Sequence, residues 1–139
     1  MASARSEAEP FTRSFEVRDY ECDLQGIVNN AVYQHYLEHA RHQFLTSRGF
    51  SFAELSKAGI NLVVVRAELD YRSPLRSGEA FVVTLRMVRR SPVRFEFLQE
   101  IYRVAGTRQL VLTSKFVCAA TDRAGKPVVP KTLEPLFTS

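Results

Sequence analysis

From Gly59 onward the apolar residues recur at every second position, and that period limits the fold more than any other feature. Val63, Val65, Ala67, Leu69 and Tyr71 alternate with Arg66, Glu68, Asp70 and Arg72, the pattern of a strand with one face buried. Three more runs follow: Phe81, Val83, Leu85 and Met87; then Phe95, Phe97 and Ile101; then Leu110, Leu112, Phe116 and Cys118. Breaks at Ser73-Pro74 to Gly78, Ser91-Pro92 and Ala105-Gly106 separate them. Ahead of these runs stands one long segment of helical period. It starts at Asn29 or Asn30, places Tyr33, Leu37, Ala40 and Phe44 on a single stripe, and ends near Ser47 with Gly49 as the stop. Ser51 and Glu54 have capping-box spacing for a short second helix through about Lys57. Phe11 to Asp19 can extend as a first strand with Phe15 and Val17 on one face. The order is strand, long helix, short helix, then four strands expected as an antiparallel meander. This implies an α+β domain with one greasy helix on a single curved sheet. Such a sheet leaves edges open, so a dimer that pairs edges is expected.

At 139 residues the chain makes one domain. Ten Phe and five Tyr supply a core and exclude a disordered chain. The net charge of +4 is spread without a block of like charges, which argues against nucleic acid as a partner. No apolar run is long enough to span a bilayer, so no membrane partner is expected. Cys22 and Cys118 have neither metal-site nor disulfide-framework spacing and fit a reducing, cytoplasmic compartment. Residues 1–10 read as a flexible tail without the apolar centre of a secretory signal, and 11–139 as the domain.

The stretch "DLQGIVNNAVY" (23–33) is the first place to look for chemistry. Gly26 permits a tight loop, and Asn29 and Asn30 are both N-cap candidates. Asp23 can be a turn or cap residue, or an acid facing a reacting group; spacing leaves both open. Glu38 and Arg41, three apart, are expected to pair on the helix surface. His35, His39 and His42 lie opposite the apolar stripe with no converging carboxylate, so a metal site is rejected in favour of a solvated or interfacial face. No histidine is placed to activate Cys22, which reads as a packed thiol, and the serines lack a nucleophile elbow. Arg89 and Arg90, with Arg94 across the turn, form the densest basic group. That group is either a solvated turn or a surface for phosphate or an acidic protein.

The run "VRDYECDLQGIVNNAVYQHYLEHARHQFL" resembles the hotdog-fold thioesterases of the 4-hydroxybenzoyl-CoA thioesterase type. Asp23, Gly26 and Val28 match that family's loop; Tyr33, Glu38, Ala40 and Arg41 match its helix. The forms "VRDYE", "VNNAVY", "HARH" and "SPLRSG" look most like the plant acyl-lipid thioesterase branch, which releases fatty or 3-oxo fatty acids from acyl carrier protein. The resemblance implies a hotdog fold, a long central helix wrapped by a curved, mostly antiparallel sheet of about five strands. It implies hydrolysis of an acyl-CoA or acyl-carrier-protein thioester, with Asp23 as nucleophile or general base and the Asn30 amide polarising the carbonyl. Arg41 is implied as a further catalytic or positioning group, and a tunnel along the helix as the acyl site. Gly26, Asn29, Tyr33, Glu38, Arg89 and Arg90 become candidate substrate contacts. No cofactor is implied, because CoA or phosphopantetheine arrives with the substrate. The implied assembly is a dimer or tetramer with sites between subunits, cytoplasmic, or in the plastid stroma for a plant or algal chain. A hotdog hydratase or dehydratase and a non-catalytic acyl-binding module are the rival readings.

Overall fold

The computed structural model describes residues 10–138, so the expected tail, Pro10 apart, lies outside the described residues. The strands are β1 (Phe11–Glu16), β2 (Asn61–Tyr71), β3 (Ala80–Ser91), β4 (Arg94–Arg103) and β5 (Gln109–Thr121). The helices are α1 (Asn30–Ser47) and α2 (Phe52–Lys57), with 3-10 turns at Asp19–Glu21 and Lys131–Leu136. The strands form one antiparallel sheet in the order β1-β3-β4-β5-β2.

The expected four-strand meander holds only for β3, β4 and β5. β2 crosses to the far edge and pairs with β5. Its connection to β3 is too long for a tight hairpin and contains Pro74. That segment is held at the end of the sheet and at the helix start instead: Arg72 N–H donates to Val111 O (2.8 Å) and Val28 N–H to Leu75 O (2.9 Å).

The helical stripe is buried as its period predicts. Tyr33, Leu37, Ala40 and Phe44 enter the core together with Tyr36 and Leu45. They meet the inward residues of β3 and β4, including Phe81, Val83, Leu85, Phe95 and Ile101. Local signals set the ends. Asn29 is the N-cap, its Oδ1 accepting from Ala31 N–H at 3.0 Å, and Gly49 turns the chain away at φ 88°. Ser51 Oγ accepts from Glu54 N–H at the start of α2.

β2 departs from its simple alternation. A register shift between Val64 and Arg66 inserts an extra residue. Beyond it, Ala67, Leu69 and Tyr71 face the core side opposite Phe116, Ser114 and Leu112, as expected. Before it the faces are exchanged: Leu62 and Val64 pair with Ala120 and Cys118, and Val63 and Val65 point outward. Because α1 lies over β3, the β2 edge stays uncovered and Val64 and Tyr71 are about half exposed.

Candidate active site

The loop before α1 is a small hairpin. Cys22 bridges Val28, and Asn29 N–H donates to Glu21 O at 3.0 Å. Gly26 sits at its tip at φ 79°, a left-handed conformation that disfavours a side chain. Its N–H donates to Asp23 O (3.0 Å), and Asp23 N–H donates to Ile27 O (2.9 Å). Asp23 therefore does have the structural role that spacing allowed. Its Oδ1 accepts from Gln25 N–H (2.8 Å) and Ile27 N–H (3.4 Å), while Oδ2 meets no donor among the described residues. The carboxylate is exposed. Asn30 opens α1, and its N–H has no acceptor among the described residues. First-turn amides lack intrahelical partners and sit at the positive end of the helix dipole. One oxygen of Asp23 thus builds the turn and the other is left without a donor, in the hairpin whose last residue, Asn29, caps the helix that Asn30 opens.

The tyrosines around this hairpin are structural. The Tyr33 hydroxyl, buried, accepts from Leu75 N–H at 3.0 Å, so it is committed to the β2–β3 connection. Burial pushes its pKa up. The Tyr36 hydroxyl donates to Glu21 Oε1 at 2.7 Å, and burial with that hydrogen bond pushes its pKa up strongly. Tyr71, from the edge strand, donates to Asn30 O at 3.4 Å.

Glu38 and Arg41 do not pair on the helix surface. Glu38 is exposed, and Arg41 turns inward to donate from Nη1 to Gln99 Oε1 at 2.9 Å. Its guanidinium lies over the ring of Phe116, 4.2 Å from the centroid, and 5.8 Å from that of Phe97. Cation–π attraction and one charged hydrogen bond offset the desolvation that lowers its pKa. Gln99 is fully buried, and while its Oε1 accepts from Arg41 its Nε2 donates to Leu37 O at 2.9 Å. Sequence reasoning missed Gln99, although a polar residue at an inward position of Phe95-x-Phe97-x-x-x-Ile101 was the available signal. Cys118 lies nearby, its thiol pushed up to about 11 by burial, with Arg41 opposing.

Arg89 and Arg90 do not stand free. Arg89 donates to Ser91 O and Pro92 O in its own turn (3.3 and 3.1 Å) and lies 3.9 Å from Glu134, while Arg90 is paired with Glu96. His35, His39 and His42 are exposed on the outer side of α1. Among the described residues no group of three or more His, Cys, Asp or Glu side chains is arranged to hold a metal, and no helix is long and apolar enough to cross a membrane.

A five-stranded antiparallel sheet curved around one long helix is the hotdog arrangement. The sequence pattern of the thioesterase-like superfamily matches residues 17–135, and the chain belongs to that family. Acyl-acyl carrier protein thioesterase ATL3, chloroplastic, from Arabidopsis thaliana is 37% identical over 123 residues, covering 88% of this chain and 64% of that protein. The chain therefore spans somewhat under two thirds of this relative's length. The crystal structure of Slr0204, a 1,4-dihydroxy-2-naphthoyl-CoA thioesterase from Synechocystis, superposes with a TM-score of 0.85 at 22% identity, covering 91% of this chain and 94% of that one. The dynemicin thioesterase, which binds a polyene, gives a TM-score of 0.84 at 25% identity, with coverages of 93% of this chain and 95% of that one.

Proposed function

We propose that this chain hydrolyses acyl thioesters. The observation that carries the reading is the Asn30 amide at the start of α1, without an acceptor among the described residues, on the hairpin in which Asp23 Oδ2 also has no partner. In this scheme the thioester carbonyl oxygen accepts from Asn30 N–H. Asp23 either takes a proton from the attacking water or attacks the carbon itself, leaving an anhydride that water opens. In both routes the C–S bond breaks and the thiol leaves with a proton, so the products are a free acid and a free thiol. The likeness to ATL3 favours acyl carrier protein over CoA as the carrier. Arg89 and Arg90 are the side chains we assign to the carrier or its phosphate, which must compete for them with Glu134 and Glu96. Arg41 lies about 16 Å along the helix from Asn30, so its role falls along the acyl chain. A second copy pairing the open β2 edge would complete the site between subunits.

The test is release of free thiol from matched acyl-CoA and acyl-carrier-protein substrates. Asp23→Asn and Asp23→Ala should each lower turnover by about 10²–10⁴-fold while far-ultraviolet circular dichroism is unchanged. Turnover that survives Asp23→Ala would remove Asp23 from the chemistry. Tight acyl binding with no turnover would favour the non-catalytic module, in which Asp23 only builds the turn.

A further inference from the structure

The two groups that the proposed reaction uses stand on different elements, Asp23 on the hairpin and Asn30 on α1. One residue from a third element holds both. Leu75, in the connection from β2 to β3, is fully buried. Its C=O accepts from Val28 N–H of the hairpin at 2.9 Å, and its N–H donates to the Tyr33 hydroxyl of α1 at 3.0 Å. The residues after it grip the hairpin and the chain leading into it. Ile27 bridges Arg76, Ser77 Oγ donates to Asp19 Oδ1, and Gly78 N–H donates to Val17 O at 3.0 Å.

A connection of irregular backbone holds a pose only as firmly as it is itself held. Arg103, the last residue of β4, supplies the anchor. Its Nε donates to Glu79 Oε2 at 2.9 Å, its Nη1 to Gln109 Oε1 at 2.6 Å, and its Nη2 to the carbonyl of Pro74, the residue before Leu75. Glu79 draws the connection together, since its Oε1 accepts from Arg76 N–H at 2.7 Å. The Arg103 side chain is only 15% exposed, so these bonds are largely out of water. A planar guanidinium reaches three acceptors in fixed directions, which a lysine ammonium on its flexible stem cannot reproduce. Among the described residues Arg103 makes no hydrogen bond to the hairpin or to α1, so its effect on them passes through the connection.

We propose that Arg103 is a positioning residue for the thioester chemistry. By fixing Pro74 and Glu79 it fixes Leu75, and Leu75 sets the hairpin that carries Asp23 against the helix start that carries Asn30. This rests on the thioesterase reading above. Without the clamp both groups are still present, but the acid and the amide lose their mutual register. That loss falls on the transition state, where both must act at once, more than on binding of the substrate.

The experiment uses the full chain and an acyl thioester that wild type hydrolyses. Arg103→Met should lower kcat by about 10–100-fold and leave KM within about twofold. Arg103→Lys keeps the charge without the fork. It should fall between wild type and Arg103→Met, and it serves as the test if the Met variant folds poorly. In an Asp23→Asn background Arg103→Met should change the residual turnover by less than about twofold, because the acid it positions is gone. An equal loss in both backgrounds, or a raised KM at unchanged kcat, would overturn the proposal. If wild type hydrolyses no acyl-CoA or acyl-carrier-protein thioester, the thioesterase reading fails and amide hydrogen exchange decides on the clamp. Protection of the Val28 and Leu75 amides falling about tenfold in Arg103→Met, relative to amides of the β3–β4 ladder, would uphold it. Unchanged relative protection would overturn it.

Discussion

The two flanks of α1 come from one helix and face different surroundings. On the β1 side an open groove of about 1250 Å³ is lined by His35, His39 and His42 with Arg13, Glu16 and Glu21. His35, His39, His42, Arg13 and Glu16 keep one side in solvent there, while Glu21 is held by the Tyr36 hydroxyl, and Phe15 is met edge-on by His39 with centroids 5.8 Å apart. On the β2 side Arg41 is drawn off the surface onto Phe116 and Gln99, beside an apolar cavity. A flank whose polar groups remain in water tolerates change. A flank that desolvates a guanidinium depends on each partner that compensates it.

Breaking the buried contact should give the largest effect. Gln99→Leu leaves Arg41 Nη1 and Leu37 O without their partner, and urea unfolding should show a loss of about 2–3 kcal/mol. Replacing both members, as Arg41→Met with Gln99→Leu, should recover most of it, because the uncompensated charge goes too. Failure to recover would mean that Gln99 acts through packing alone.

The same flank carries a pH signature. Burial raises the Cys118 thiol from its ordinary 9.0 to about 11. The unfolded chain therefore loses this proton first as pH rises. Stability is fully present below pH 9 and declines through pH 11, by about 2–3 kcal/mol at about 1.4 kcal/mol per tenfold difference in ionisation. Cys118→Ala should flatten this part of the stability–pH curve; an unchanged slope would assign the decline to other groups.

The smallest effect is expected on the β1 flank. His35→Ala and His39→Ala should each shift stability by no more than about 0.5 kcal/mol and leave acyl preference as it was. A larger change in either would make that groove a second functional surface.

Local pattern carried much of this molecule. The 3.6-residue period of Tyr33, Leu37, Ala40 and Phe44 named the buried face of α1, because a helix has one direction in which to bury it. Asn29, Gly26 and Gly49 were legible because caps and left-handed turns are read within a few residues. Asp23 was legible as a candidate, although the commitment of one oxygen to the turn while the other stays without a donor depended on where the loop amides point. The β2 alternation misled over Val63 and Val65, since a bulge leaves composition unchanged while exchanging the faces on either side of it.

What the sequence by itself determined is therefore the set of elements, the core stripe, the hairpin and the family, all properties of short-range periodicity and motif. Tertiary structure alone decided that β2 lies beside β5, that Arg41 leaves Glu38 for Gln99 58 residues away, and that Phe52 stacks on His42 beside a cavity. Those choices come from which surfaces become buried once the sheet curves around α1. No local rule encodes them, because the free energy of each partner depends on residues distant in the chain.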